Sequence, residues 1–214
     1  MKKSLLVGSL ICFNALANAA SVELITNGAF DSGLSGWTVD NPGNYLLSTQ
    51  SFDIDGNASF VSSNALISQT AGGYGSPDIN IGQSISLVAG TEYSFFASIA
   101  SQAFNSSNYS GGQITARLGN LIIDSFDFGN IAANTSEFAT LNSIFTASTT
   151  GLFSFDIQIF RPYTQNSTTP LQFIDNISLT YENQNQSVPE PISIALLAIG
   201  FAGMFGISRK KTMV

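Results

Sequence analysis

Carboxylates supply almost all the chemistry available to this chain of 214 residues, which holds fourteen aspartates and glutamates, no histidine and one cysteine, Cys12. Without imidazole, and with no thiol in the body of the chain, a Ser-His-Asp triad, a cysteine nucleophile and a His/Cys zinc site are all excluded. Two carboxylates could still flank a glycosidic bond as acid and base, but no Asp or Glu pair is singled out by its neighbours. The stretch "DIDGN" sets Asp53, Asp55 and Asn57 in alternation, as a calcium loop does. It has Ala58 where such a loop needs glycine and Asn64 where it needs an acid, so a turn centred on Asp-Gly is the simpler reading. For stacking on a sugar ring, the candidates are the tyrosines of apparent loops: Tyr45, Tyr74, Tyr109 and Tyr163.

The elements that must position these groups read as strands. In "IGQSISLVAGTEYSFFASIAS", Ile81, Ile85 and Leu87 share one face of a first run, with Gln83 an exception among them. Tyr93, Phe95, Ala97 and Ile99 repeat with period two in a second run, after a turn at Ala89-Gly90-Thr91. "QITARLGNLIIDSFDFG" forms a further pair around Gly119-Asn120, and two more runs flank Ser148-Thr149-Thr150-Gly151. The last run, "LQFIDNISLTYE", predicts Phe173, Asp175, Ile177, Leu179 and Tyr181 on one face. No ten-residue stretch of the middle segment carries a 3.6-residue period. Short strands at even spacing with Gly, Asn and Ser turns predict an all-β sandwich or jelly roll. Phenylalanine makes up 17 of the 24 aromatic residues, and its alternation in the strands assigns it to the core.

Charge is uneven. Every acidic residue lies between Glu23 and Glu190, where Arg117 and Arg161 are the only cations, so this segment carries about −12 against −7 for the whole chain. Nucleic acid is a poor partner for such a surface, because phosphate binding rests on Lys and Arg.

The two ends follow different rules. "MKKSLLVGSLICFNALANAA" runs from Lys2 and Lys3 through a short apolar stretch to small residues, the layout of a secretory signal peptide. Ala17 and Ala19 supply the A-x-A pattern, which places cleavage after Ala19, with Ala20 as the alternative, and leaves the mature chain without cysteine. At the other end, Ile192 to Ile207 is an unbroken apolar run of 16 residues. As a helix it covers ~24 Å, enough to span a membrane with help from its flanks. Arg209, Lys210 and Lys211 follow it and set the tail on the cytoplasmic side.

Val188-Pro189-Glu190-Pro191, the apolar run and the Arg-Lys-Lys cluster together resemble the PEP-CTERM sorting signal of Gram-negative bacteria. That resemblance implies export through the bacterial export machinery and a transient stay in the inner membrane, with the domain on the outer side. It further implies processing near the motif by an exosortase, delivery to the cell surface or matrix, and association with exopolysaccharide and biofilm. Pro189 and Pro191 fit an extended stretch that a protease cleft can hold, with Glu190 as the charged contact.

The central segment, from about Val22 to Tyr181, resembles galactose-binding-like jelly rolls, notably carbohydrate-binding modules. The resemblance rests on "LITNGAFDSGLSGWTV", "IGQSISLVAGTEYSFFASI" and "FIDNISLTY". It implies a core position for Trp37 and a structural calcium ion held by Asp31 and Asp175, which would tie the first strand to the last. No cofactor is otherwise required.

The organisation expected is therefore a signal peptide at 1–19, a β-sandwich domain at 20–181, a polar linker at 182–187 and a sorting signal at 188–214. Within the signal, 188–191 is the motif, 192–207 a single transmembrane helix and 208–214 a basic tail. The function expected is a non-enzymatic structural or adhesive surface protein, with a carbohydrate-binding module for an extracellular polysaccharide as the alternative.

Overall fold

The computed structural model describes residues 20–54, 56, 63–69, 78–104, 109–160 and 170–183, with the backbone alone at 63, 109 and 110. The chain divides into two compact units: Ser21–Glu182, and the terminal stretches Met1–Ala20 and Asn183–Val214. The terminal unit falls almost wholly outside the described residues. Outside them lie Ala17, Ala19, Val188, Pro189, Glu190, Pro191, Arg209, Lys210, Lys211 and the helix expected at 192–207. No helix among the described residues is long and apolar enough to cross a membrane.

Within Ser21–Glu182 the described elements are antiparallel strands in two main sheets. The first sheet runs β11 (Ser136–Thr146), β6 (Glu92–Gln102), β13 (Leu171–Asn183), β4 (Ser63–Gln69) and β3 (Leu46–Phe52), with β1 (Ala20–Glu23) also paired to β13. The second runs β2 (Thr38–Asp40), β5 (Ile79–Leu87), β12 (Gly151–Phe160), β8 (Gln113–Leu118) and β9 (Leu121–Asp127). A two-residue ribbon joins β7 (Tyr109–Ser110) to β10 (Asn130–Ile131). The strand β13 continues two residues past the expected domain edge at 181.

Alternation within each strand sends apolar residues to a shared interior. Leu66, Phe95, Ala97, Ile99, Leu141 and Leu179 of the first sheet share one buried cluster with Ile81, Ile85, Ile114, Phe155 and Ile157 of the second. The rings of Phe95 and Phe155 meet across the gap at 5.7 Å between centroids, which makes the pair of sheets a β-sandwich. The expected inward set Tyr93, Phe95, Ala97 and Ile99 is buried throughout. Gln83 also points inward, and its amide pairs with the backbone of Thr26, donating to its carbonyl at 2.6 Å and accepting from its N–H at 3.0 Å. That pairing removes the cost of the misplaced polar group.

Asn27, Gly28, Phe30 and Trp37 of "LITNGAFDSGLSGWTV" build the fold. Asn27, at φ 54°, donates from Nδ2 to the carbonyls of Gly33 and Ser35, and its own carbonyl accepts from Trp37 Nε1 at 3.1 Å. Trp37 stacks on the fully buried Phe30 at 5.5 Å, so its expected core position holds. A Cβ at Gly28 would collide with the carbonyl oxygen of Ile177, so only glycine allows the first segment to lie against β13.

Strand β13 departs from the expected single face. Ile174 is in the main interior cluster and Phe173 in a second cluster on the outer side of the first sheet. A register shift between Asp175 and Ser178, with Asn176 at φ 54°, then brings Ile177 and Leu179 inward. The bulge adds a residue to one strand, so the period of two breaks and Phe173 and Asp175 part company with Ile177, Leu179 and Tyr181. The outer cluster gathers Ile54, Ala65, Ile67, Ala100 and Phe173, with Phe52 stacked on Phe173 at 3.5 Å. Not every phenylalanine is core: Phe96, Phe104, Phe126 and Phe138 are exposed.

Candidate ligand-binding face

On the outward side of the second sheet, the residues that alternate with the buried ones are polar. Ile114, Ala116 and Leu118 of β8 point inward, leaving Gln113, Thr115 and Arg117 on the opposite side, where Thr115 is itself buried and the other two are half-buried. Phe155, Ile157 and Ile159 of β12 point inward, leaving Ser154, Asp156 and Gln158 outside. Register then arranges them in two rows that cross all five strands. Asp40, Asn80, Gln158, Thr115 and Ser125 form one row. Thr38, Gly82, Asp156, Arg117 and Ile122 form the next.

Hydrogen bonds hold this surface in a fixed arrangement. Arg117 donates from an Nη to Gln158 Oε1 at 3.0 Å, and Gln158 Nε2 donates to Asp78 Oδ2 at 2.5 Å. With both ends engaged, the Gln158 amide has one orientation. Gln113 Nε2 donates to Ser125 Oγ at 2.7 Å, and the Ser125 and Thr115 hydroxyls lie 2.9 Å apart. Ser154 Oγ donates to Asp156 Oδ2 at 2.8 Å. A Cβ at Gly82 would collide with Asp156 Oδ1, so the glycine leaves the space that this carboxylate occupies. Phe160, half-buried and opposite Gln113, brings a ring to one end of the face. The exposed Ile122 stands beside Arg117 at the β9 edge. The face can donate, accept and offer apolar surface at fixed positions.

The residues singled out from the sequence lie elsewhere or outside the described residues. Tyr45 is half-buried and packs against the interior cluster; its backbone N–H and C=O both bond the Asn41 side chain, and its ring occupies the space where a Gly43 side chain would stand. Tyr74 and Tyr163 fall outside the described residues, and of Tyr109 the backbone alone is described, in β7. Asp31 is exposed in the turn after Phe30. Asp175 is fully buried, and its Oδ1 accepts from the Asn176 N–H at 2.7 Å. Among the described residues no group of three or more His, Cys, Asp or Glu side chains could hold a metal. Calcium takes six to eight oxygens, so carbonyl groups and water would have to complete any set begun by Asp31 and Asp175.

Sequence reasoning missed Arg117, Asp156, Gln158 and Gly82. Their signal in the sequence is the polar half of each period-two strand, the complement of its core face.

Residues 187–210 match the family model described as the PEP-CTERM protein-sorting motif. The motif indicates export and cell-surface sorting, and it implies processing by an exosortase. No curated protein matches the chain. Among solved structures, the chain is similar to the apo form of a cyclase from Fischerella sp., at 17% identity over 76% of this chain and 97% of that one, with a TM-score of 0.52. A Stig cyclase from Fischerella sp. TAU matches at 16% identity over 77% and 99%, with a TM-score of 0.50. The carbohydrate-binding module TmCBM61, solved with β-1,4-galactotriose, matches at 14% identity over 75% and 99%, with a TM-score of 0.45. The two cyclases share the β-sandwich fold with this domain.

Proposed function

We propose that this chain is an exported, non-enzymatic surface or matrix protein whose β-sandwich holds an extracellular polysaccharide on the outward face of its second sheet. The observation that carries the reading is the pair of polar rows spanning five strands, with Gln158 locked between Arg117 and Asp78. Sugars are recognised by many hydrogen bonds to hydroxyls, and binding is favoured when the protein groups are already ordered, because less side-chain entropy is lost. A face that spans five strands suits an extended polymer better than a small molecule, which prefers a concave pocket. The engagement of Asp78 by Gln158 and of one Asp156 oxygen by Ser154 supports fixed recognition over acid–base work.

The sorting motif supplies the setting. In this reading the apolar segment inserts into the inner membrane with the domain outside, the exosortase cuts near Pro189-Glu190-Pro191, and the released domain reaches the exopolysaccharide matrix. A calcium ion at Asp31 and Asp175 is a separate proposal, resting on the resemblance to galactose-binding-like domains.

Affinity electrophoresis of the purified protein through gels loaded with soluble polysaccharides tests the binding reading. Retardation by at least one polymer is expected. Unchanged mobility in every gel would remove polysaccharide binding and leave a purely structural surface protein.

A further inference from the structure

Arg117 is the one lysine or arginine among the described residues, and it sits near the middle of the polar face, half-buried. One Nη donates to Gln158 Oε1; among the described residues the guanidinium makes no other hydrogen bond and no ion pair. A guanidinium carries five N–H donors, so most of this fork is presented outward. Its register partner across the β8–β12 ladder is Asp156, on the same face. Ser154 fixes Asp156 Oδ2, while Oδ1 lies over Gly82 and accepts no hydrogen bond among the described residues. Directly opposed side chains on neighbouring antiparallel strands stand ~5 Å apart at Cβ. A donor fork and an acceptor are thus offered side by side.

We infer that this face selects uncharged polysaccharide, reading pairs of adjacent sugar hydroxyls between Arg117 and Asp156, and that it rejects uronate polymers. The inference rests on the polysaccharide reading of the same face. A hydroxyl both donates and accepts, so one hydroxyl of a pair can accept from Arg117 while its neighbour donates to Asp156 Oδ1. A uronate carboxylate only accepts. It would satisfy Arg117 but leave Asp156 Oδ1 without a donor and set two anions side by side. Asp40 and Asp78 lie on or beside the adjacent row, and the segment from Glu23 to Glu190 carries about −12, so the surrounding field adds to the repulsion. Gly82 contributes through the room it leaves: any side chain there displaces Asp156 Oδ1 from its place beside Arg117.

The test is affinity electrophoresis of the full-length protein, and of Arg117→Leu, Asp156→Asn and Gly82→Ala. The gels contain neutral polymers (arabinoxylan, galactan, glucomannan, dextran) or uronate polymers (polygalacturonate, alginate), and a thermal melt of each variant checks folding. The expected result is retardation by at least one neutral polymer, none by the uronates, and a loss of about tenfold or more in affinity in each folded variant. Preferential retardation by a uronate polymer would overturn the selectivity while keeping the face as a polysaccharide site. Neutral binding unchanged in all three folded variants would also overturn the inference. Retardation by no polymer of either class would defeat the polysaccharide reading itself, and this inference with it.

Discussion

Asp124 of β9 accepts the backbone N–H of Asn142 of β11 at 2.7 Å, joining an edge strand of one sheet to an edge strand of the other. The same carboxylate accepts the N–H of Ser125 at 2.8 Å, which fixes its rotamer. The bulge in β9 beside Ala116 and Arg117 makes this geometry available. It offsets the ladder by one residue, so Asp124 lies opposite inward-facing Ala116 while Ile122 lies opposite outward-facing Arg117. Asp124→Ala should therefore cost stability without touching the polar face, by about 1 kcal/mol because the bonds are partly solvent-exposed. Denaturant unfolding measures it; an unchanged midpoint would show that the two edges are held by packing alone.

Gly28 is the second structural position open to a direct test. A methyl there would drive against the Ile177 carbonyl, and the Ile177 N–H to Gly28 O bond of 3.0 Å holds the same contact closed. Backbone cannot yield as a side chain tip can, so Gly28→Ala should lose about 2 kcal/mol or more. For a domain of this size that corresponds to a melting temperature lower by about 4–8 °C. A variant as stable as the parent would mean that the first segment does not dock on β13 in solution.

Gln172 is buried, facing inward on β13, and its Nε2 has no hydrogen-bond partner among the described residues. Replacing an unsatisfied buried amide by an apolar group of similar length removes a desolvation cost, so Gln172→Met should stabilise the domain by about 1 kcal/mol. Thermal or denaturant unfolding gives the sign. A clear loss of stability would mean that the amide has an acceptor in solution, such as an internal water.

If calcium joins Asp31 to Asp175, dialysis against a chelator should lower the melting temperature, and added calcium should restore it. The variant Asp31→Asn should then melt like the chelated parent and stop responding to either treatment. Identical melting curves for the parent with and without chelator would remove calcium from the account of this domain.

The sorting motif makes a prediction about mass. Protein recovered from wild-type cells should lack both the signal peptide and the apolar segment after Pro191. Cells without the exosortase should retain the C-terminal segment. Intact mass spectrometry reads both events, and a wild-type mass that still includes residues 192–214 would contradict processing.

Much of the sandwich was written locally. Period two in Tyr93, Phe95, Ala97 and Ile99 gave the buried face of β6, and Gly119-Asn120 stands between β8 and β9 as the turn residues require. The delivery signal was equally legible, because a sorting motif is read as linear sequence. Two things escaped local reading. The bulge at Asp175 and Ser178 depends on Asn176 adopting positive φ, and alternation alone carries no trace of it. The polar face depends on long-range register: Thr38, Gly82, Arg117 and Asp156 become neighbours only when β2, β5, β8 and β12 pair. Each strand announces which of its sides faces water, since burial of the other side is a property of its own residues. Which side chains share a row is decided by pairing between strands far apart in sequence, and only the folded sheet sets that register.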